Sequence, residues 1–210
     1  MPNKTTLILD MYGVILKERT GNFVPYVYEH FDNSEHERLN KLFNEERLFA
    51  KAGYGKLTSN EFLSLLGFKN PEFHMKNYIE NYLSVDKEFY IFAERAYKRF
   101  DLVLLSTDVS EWNEYIMKHY SLDKYFKDKI VSGNVGIRKP DPKIYELTLN
   151  KIGKSAEECL FIDDSIPNIT AAKELGINSV LFNRFSENYT GEQVYSFEEL
   201  LKICFEEALI

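Results

Sequence analysis

Short apolar runs that stop abruptly at a polar or acidic residue recur along this chain. Leu7-Ile8-Leu9 ends at Asp10, Leu102-Val103-Leu104-Leu105 runs into Ser106-Thr107-Asp108, and Cys159-Leu160-Phe161-Ile162 runs into Asp163-Asp164. Apolar runs without polar alternation belong to strands covered on both faces, the habit of parallel sheets. Asn178 to Phe182 is a further β-rich run, and Lys129-Ile130-Val131 a weaker one before a Gly-containing loop. Helix signals fill the gaps. Asp141-Pro142 sets an N-cap acceptor before a proline, leading into Lys143 to Lys151. Ser155 with Glu158 has capping-box spacing in a turn too short for a long helix. Asn168 to Leu175 closes at Gly176, and Ser196 with Glu199 opens a last helix through Phe205. Strand and helix therefore alternate from about Arg95 onward, which predicts right-handed crossovers and a parallel sheet with helices on both faces.

The stretch from about Glu18 to Asp86 lacks such β runs. It carries apolar residues at helical spacing, as in Leu39, Leu42, Phe43 and Phe49 and again in Phe62, Leu65 and Leu66. Thr58 with Glu61 is another capping box, and Pro71 interrupts the pattern after Gly67. The expected organisation is an α/β fold with a Rossmann-like parallel sheet over residues 1–17 and 87–210, plus a small inserted all-helical domain over 18–86. The connecting stretches lie near residues 15–19 and 84–90.

Composition narrows the classes without changing this picture. A chain of 210 residues with 44% hydrophobic and 28% charged residues can bury a core and is not a disordered chain. Its formal net charge of −7 disfavours nucleic acid and anionic lipid as partners. Cys159 and Cys204 form neither a disulfide framework nor a metal pattern and read as packed thiols. Met1 to Thr6 lacks the features of a secretory signal, and no stretch approaches the length needed to cross a bilayer. A cytoplasmic location is expected.

The candidate chemistry sits where the apolar runs stop. In an open parallel sheet, ligands bind beyond the carboxyl ends of the strands. Asp10, Ser106 and Asp163-Asp164 all occupy such ends, and Lys139 of Gly136-Ile137-Arg138-Lys139-Pro140 enters from a loop. Crowded carboxylates repel and need a proton or a cation; hard oxygen donors suit Mg2+ better than zinc.

These residues, taken in order, resemble the haloacid dehalogenase-like hydrolase superfamily over essentially the whole chain. Asp10-Met11-Tyr12-Gly13-Val14 matches its nucleophile motif, Ser106 its second, Lys139 within Arg138-Lys139-Pro140-Asp141 its third, and Asp163-Asp164 its fourth, with a helical insertion where a type 1 cap belongs. The resemblance implies a Mg2+-dependent phosphatase acting on a small phosphorylated metabolite through an aspartyl-phosphate. It implies that Asp10 is the nucleophile, that Asp10, Asp164 and the main-chain carbonyl of Tyr12 ligate the metal, and that Ser106 and Lys139 hold the transferring group. Thr107 is a further candidate for substrate binding. Asp163 is expected to partner Lys139 or bound water, with Asn168 replacing a second acid often found there. A carboxylate with a pKa of about 3.9 is already anionic at neutral pH and needs no base to attack, so the difficulty it faces is repulsion from the phosphate.

Tyr12 departs from the phosphatase pattern, which has a second aspartate at that position for proton transfer. A phenol with a pKa of about 10 is a poor proton donor and a poor base at neutral pH. Asp-x-Tyr-Gly resembles the 2-haloacid dehalogenases, which attack carbon without a metal, so a dehalogenase and a catalytically weak ligand-binding member stand as rival readings. The adjacent Asp163-Asp164 pair argues for the metal-dependent phosphatase. Other residues have plainer readings. Arg138 is expected to be solvated, Thr107 and Asp108 to line the pocket or cap the helix through Trp112, the four histidines to lack metal-ligand spacing, and the aromatics of 18–86 to form a small core with some rings facing the cleft. Oligomeric state is left open by these patterns.

Overall fold

The computed structural model describes residues 5–19 and 22–206. Met1 to Lys4, on which most of the signal-sequence reading rests, lie outside them. Six strands, β1 (Thr6–Leu9), β2 (Asp101–Ser106), β3 (Asp128–Val131), β4 (Cys159–Asp163), β5 (Asn178–Phe182) and β6 (Gln193–Val194), form one parallel sheet in the order β3-β2-β1-β4-β5-β6. The helices in chain order are α1 (Phe23–Glu29), α2 (His36–Asn44), α3 (Leu48–Gly53), α4 (Ser59–Leu66), α5 (Pro71–Tyr82), α6 (Lys87–Ala96), α7 (Ser110–His119), α8 (Ser132–Val135), α9 (Pro142–Ile152), α10 (Ile166–Glu174) and α11 (Phe197–Glu206). Among the described residues no helix is long and apolar enough to cross a membrane.

The absence of polar alternation in the strands has its cause in this layering. Successive side chains of a strand point to opposite faces, and here each face meets a packed layer. Leu7, Leu9, Leu102, Leu104, Ile162 and Phe182 pack with α6, α7 and α11 through Phe89, Phe92, Trp112, Ile116 and Leu200. Ile8, Val103, Leu105, Phe161 and Leu181 pack on the other face with α9 and α10 through Ile144, Tyr145 and Ile169. The expected α/β class with helices on both faces is what the chain adopts.

Helices α1–α5 come from the stretch between β1 and β2, and their packing centres on Phe23. Its ring lies 5.1 Å from Tyr78, 5.3 Å from Phe49 and 4.8 Å from Trp112, centroid to centroid. Trp112 belongs to α7, and its indole N–H donates to Ser59 Oγ on α4 at 2.7 Å. The chain enters and leaves this region through two antiparallel segments: Lys17 N donates to Ser84 O (3.0 Å) and Asp86 N to Ile15 O (2.9 Å).

The structure sharpens three local readings. The apolar pattern from Leu39 to Phe49 is not one helix, because Arg47 takes a left-handed conformation (φ 53°) that ends α2 and lets α3 start. Pro71 opens α5 rather than merely interrupting a pattern: it sits in the first turn, where a missing N–H costs no intrahelical bond, behind Asn70, whose side chain accepts from Phe73 N. The second connecting stretch is shorter than residues 84–90, since α6 already starts at Lys87 behind Asp86, whose carboxylate accepts from Glu88 N.

Candidate active site

The chain leaves β1 for β2 on one side and reaches β4 on the other, so β1 and β4 are neighbours whose following loops diverge. Leu9 lies opposite Ile162, and Asp10 N donates to Ile162 O at 3.0 Å. That register brings Asp10 beside Asp163 and Asp164. The three buried carboxylates can each place an oxygen within 4.8 Å of the others, the one group of this kind among the described residues. Lys139 enters between them, its side chain 2% exposed, with Nζ 2.7 Å from Asp10 Oδ1 and donating to Asp163 Oδ2 at 2.6 Å. Asp163 Oδ1 accepts from Ser165 N (2.9 Å) and from the Asn168 amide (3.0 Å), so both its oxygens are engaged in holding Lys139 and the loop.

Gly13 is required by this crowding. Its φ is 77°, and a Cβ there would stand 2.3 Å from Asp164 Oδ2. Only glycine takes this backbone conformation at no steric cost and lets the carboxylate approach so closely.

Electrostatics follow from burial and crowding. Burial pushes the Asp10 carboxyl well above the usual range; Lys139 opposes this, while Asp163 and Asp164 add to it. Burial, then Asp163, raises Asp164 to about 6 against the pull of Arg19 and Lys139. Burial works against the Lys139 ammonium, yet Asp10 and Asp163 hold it above the ordinary lysine range. Arg19 was absent from the sequence-based candidates. Its Nε lies 2.9 Å from Asp164 Oδ2, its Nη2 donates to the Asp164 carbonyl at 3.0 Å, and it also pairs with Glu187.

Among the described residues, Ser106 Oγ, Thr107 Oγ1 and Asp164 Oδ2 are the buried side-chain polar atoms without a hydrogen bond. The Arg19 contact to Asp164 Oδ2 is an ion pair whose N–H is not directed at that oxygen. An orphaned buried polar atom costs about 1–3 kcal/mol, so three at one rim of one sheet suit a site that receives a polar ligand. Buried oxygen donors and a carboxylate oxygen beside Gly13 that accepts no hydrogen bond fit a hard divalent cation such as Mg2+.

Tyr12 and Asp108 form a second group in the same cleft. The Tyr12 hydroxyl donates to Asp108 Oδ1 at 3.3 Å and is also hydrogen-bonded with Tyr78. Burial and the Asp108 charge raise the Tyr12 phenol well above its ordinary value. Burial pushes Asp108 up to about 7, although its oxygens accept from Asn113 and from Val109 N. The helix-capping alternative for Thr107 and Asp108 is corrected: Val109 occupies the N-cap of α7, and no side chain caps it.

These groups line one cavity of about 430 Å³, with Thr107, Asp108, Lys139, Asp164 and Asn168 on the core side and Phe49, Ala50, Gly53 and Tyr78 from the inserted helices. Thr107 reaches this wall, whereas Ser106, the last residue of β2, is fully buried behind it. Arg138 is a second correction. It is half-buried on the cavity wall with its guanidinium over the Tyr54 ring, because the loop turns it toward α3 instead of toward solvent. Both cysteines are buried and neither forms a disulfide among the described residues.

A sequence model of the haloacid dehalogenase-like hydrolases matches residues 4–176. A drimenol cyclase of Aspergillus calidoustus is 44% identical over 61 residues, 29% of this chain and 12% of that protein. A phosphoglycolate phosphatase of Aquifex aeolicus is 30% identical over 115 residues, 52% of this chain and 54% of that protein. The chain thus spans about half or less of these relatives. Among solved structures, a haloacid dehalogenase-family enzyme from Bacteroides thetaiotaomicron, in complex with magnesium and inorganic phosphate, superposes with a TM-score of 0.68 at 20% identity, covering 85% of this chain and 94% of that one.

Proposed function

This chain belongs to the haloacid dehalogenase-like hydrolases, and we propose that it is a Mg2+-dependent phosphatase that hydrolyses a small phosphate monoester through an aspartyl-phosphate on Asp10. The observation that carries this reading is the buried group Asp10, Asp163 and Asp164 with Lys139 between its members and an Asp164 oxygen that accepts no hydrogen bond and has only the Arg19 ion pair. The phosphatase among the relatives and the magnesium and phosphate bound by the Bacteroides enzyme support it. Residues 18–86 act as a cap in this reading, since Phe49 and Tyr78 roof the cavity that Asp10 lines.

Asp10, Asp164 and the main-chain carbonyl of Tyr12 would hold Mg2+, which supplies positive charge where an anionic nucleophile meets an anionic ester. An Asp10 carboxylate oxygen attacks phosphorus as the bond from phosphorus to the ester oxygen breaks, and that oxygen leaves as the alcohol after taking a proton from solvent water, which regains it from the hydrolytic water of the next step. Water then attacks the phosphorus, the bond to Asp10 breaks, and orthophosphate departs with the carboxylate restored. Lys139 lies 2.7 Å from Asp10 and lowers the cost of charge building up there. Thr107 supplies a hydroxyl at the cavity wall that holds the transferring group, Ser106 backs it with a second hydroxyl free of hydrogen bonds at the end of β2, Asp163 fixes Lys139, and Asn168 fixes Asp163. Tyr12 keeps Asp108 in place and does not take the role of an acid. The metal-free dehalogenase reading is weaker, because it leaves Asp164 buried beside Asp10 and Asp163 at a cost in repulsion, whereas Asp163 holds Lys139 in either reading. The substrate is then a phosphorylated metabolite met in the cytoplasm, with neither nucleic acid nor membrane as partner.

Phosphate release from an aryl phosphate at millimolar Mg2+ tests this. Activity is expected to vanish on chelation and to fall by at least about 10³-fold in Asp10→Asn, the scale of nucleophile removal. Undiminished turnover in Asp10→Asn removes the assignment, and halide release from a 2-chloro acid without metal selects the dehalogenase.

A further inference from the structure

Three basic side chains line the cavity, and two of them face acids. Arg19 faces Asp164 and Glu187, and Lys139 faces Asp10 and Asp163. Arg138 faces none: among the described residues its guanidinium has neither an ion pair nor a hydrogen-bond acceptor. Its neighbours are the Tyr54 ring, 5.2 Å from Cζ to the centroid, and Gly53, where a Cβ would lie 3.8 Å from Cζ. Arg47 is near enough to repel it, which leaves the positive charge at this point uncompensated. A guanidinium stacked on a ring uses its face for the stack and keeps the N–H groups of its edge free to bind a planar anion in bidentate fashion.

Direction gives this vacancy a meaning. Lys139 and Arg138 are consecutive, and their side chains part: Lys139 goes to the carboxylates at the strand ends, Arg138 to α3 and Tyr54 of the inserted helices. The inserted helices add Phe49, Ala50 and the ring of Tyr78 to the same wall. A phosphoryl group held at Asp10 leaves its alcohol half in the cavity that Arg138 also lines. A volume of about 430 Å³ admits only a small molecule there.

We propose that Arg138 recognises a second anionic group, a carboxylate or a second phosphate, on the alcohol half of the substrate, so that the preferred substrates are small phosphate monoesters of anionic alcohols. This rests on the phosphatase reading for its first pole and on Arg138 for its second.

Three esters of matched size separate the possibilities: ethyl phosphate, 2-phosphoglycolate and ethane-1,2-diyl bisphosphate, assayed with Mg2+ on the full chain. The expected result is a higher kcat/KM for one or both charged esters, the better one telling carboxylate from phosphate. In Arg138→Gln the ratio of kcat/KM between that ester and ethyl phosphate should fall about 10- to 100-fold, the range for losing a charge-assisted hydrogen-bonded pair, chiefly through KM, with partial recovery in Arg138→Lys. An unchanged ratio in both variants overturns the proposal even if overall activity drops, since a packing role for Arg138 lowers all three esters alike. If the parent turns over none of them, the phosphatase reading fails by itself, and calorimetric binding decides on Arg138. Asp10→Asn should bind the charged ester more tightly than ethyl phosphate and lose that preference when Arg138→Gln is added; equal binding or no binding overturns it.

Discussion

Gly13 shows how one backbone position ties the nucleophile loop to the opposite strand. Its φ of 77° lies where an L side chain costs about 1–2 kcal/mol, and a Cβ would stand 2.3 Å from the Asp164 oxygen that has no hydrogen bond. Gly13→Ala is therefore expected to lower stability by about 1–3 kcal/mol and to weaken Mg2+ binding at least tenfold by pushing Asp164 aside. Calorimetric titration with Mg2+ checks it, and an unaltered affinity would mean that Asp164 does not ligate. Asp10 and the aspartate pair are legible in the chain because each sits where an apolar run stops, and Gly13 because it closes the loop motif that follows Asp10. Asp108 lines the pocket as its place after β2 suggests, but its bond to Tyr12 is spatial, made across 96 positions of chain, and so is the contact of Arg19 with Asp164 across 145. Arg138 has no sequence signal for its buried position for the same reason, since only the fold places α3 and Tyr54 beside it.

At the scale of elements, the strands with uninterrupted apolar runs were readable because both of their faces are buried, which leaves no polar position inside them. The two-residue β6 is too short to carry a pattern and exists through pairing with β5. The joint between the inserted helices and the core was equally invisible, since Phe23, Phe49, Tyr78 and Trp112 are merely four apolar residues until they meet. Trp112 is fully buried in that cluster and donates to Ser59 on α4. Trp112→Ala should destabilise the fold by about 3–5 kcal/mol, as large core truncations do. Ser59→Ala removes the acceptor for its indole N–H and should cost about 1–2 kcal/mol, the penalty for an unmet buried donor. Urea denaturation of both variants measures this; a Trp112→Ala midpoint equal to the parent's would show that the cluster does not join insertion to core.

For the molecule as a whole, the site's buried carboxylates link stability to pH and to metal. Asp164 at about 6 and Asp108 at about 7 hold protons in the folded state that the unfolded chain, near 3.8, has already released. The folded state thus binds more protons between about pH 4 and pH 7. Its stability without metal should be fullest below that window and fall as pH rises through it, by at most about 1.4 kcal/mol per pH unit for each group. A divalent cation needs Asp164 ionised, so its effect has the opposite sign and should grow from pH 5 to pH 7.5. At a hundred times its Kd, Mg2+ adds about 2.7 kcal/mol, roughly 5–10 °C in Tm for a chain of this size. Two variants separate the groups. Asp164→Asn should flatten part of the pH slope and abolish the Mg2+ shift, whereas Asp108→Asn should flatten the slope and leave the Mg2+ shift intact. Thermal unfolding from pH 5 to 8, with and without Mg2+, reads all four combinations. A metal shift that survives in Asp164→Asn, or stability without metal that climbs between pH 5 and pH 7, would separate the carboxylate group from metal binding and remove the physical basis of the proposed reaction.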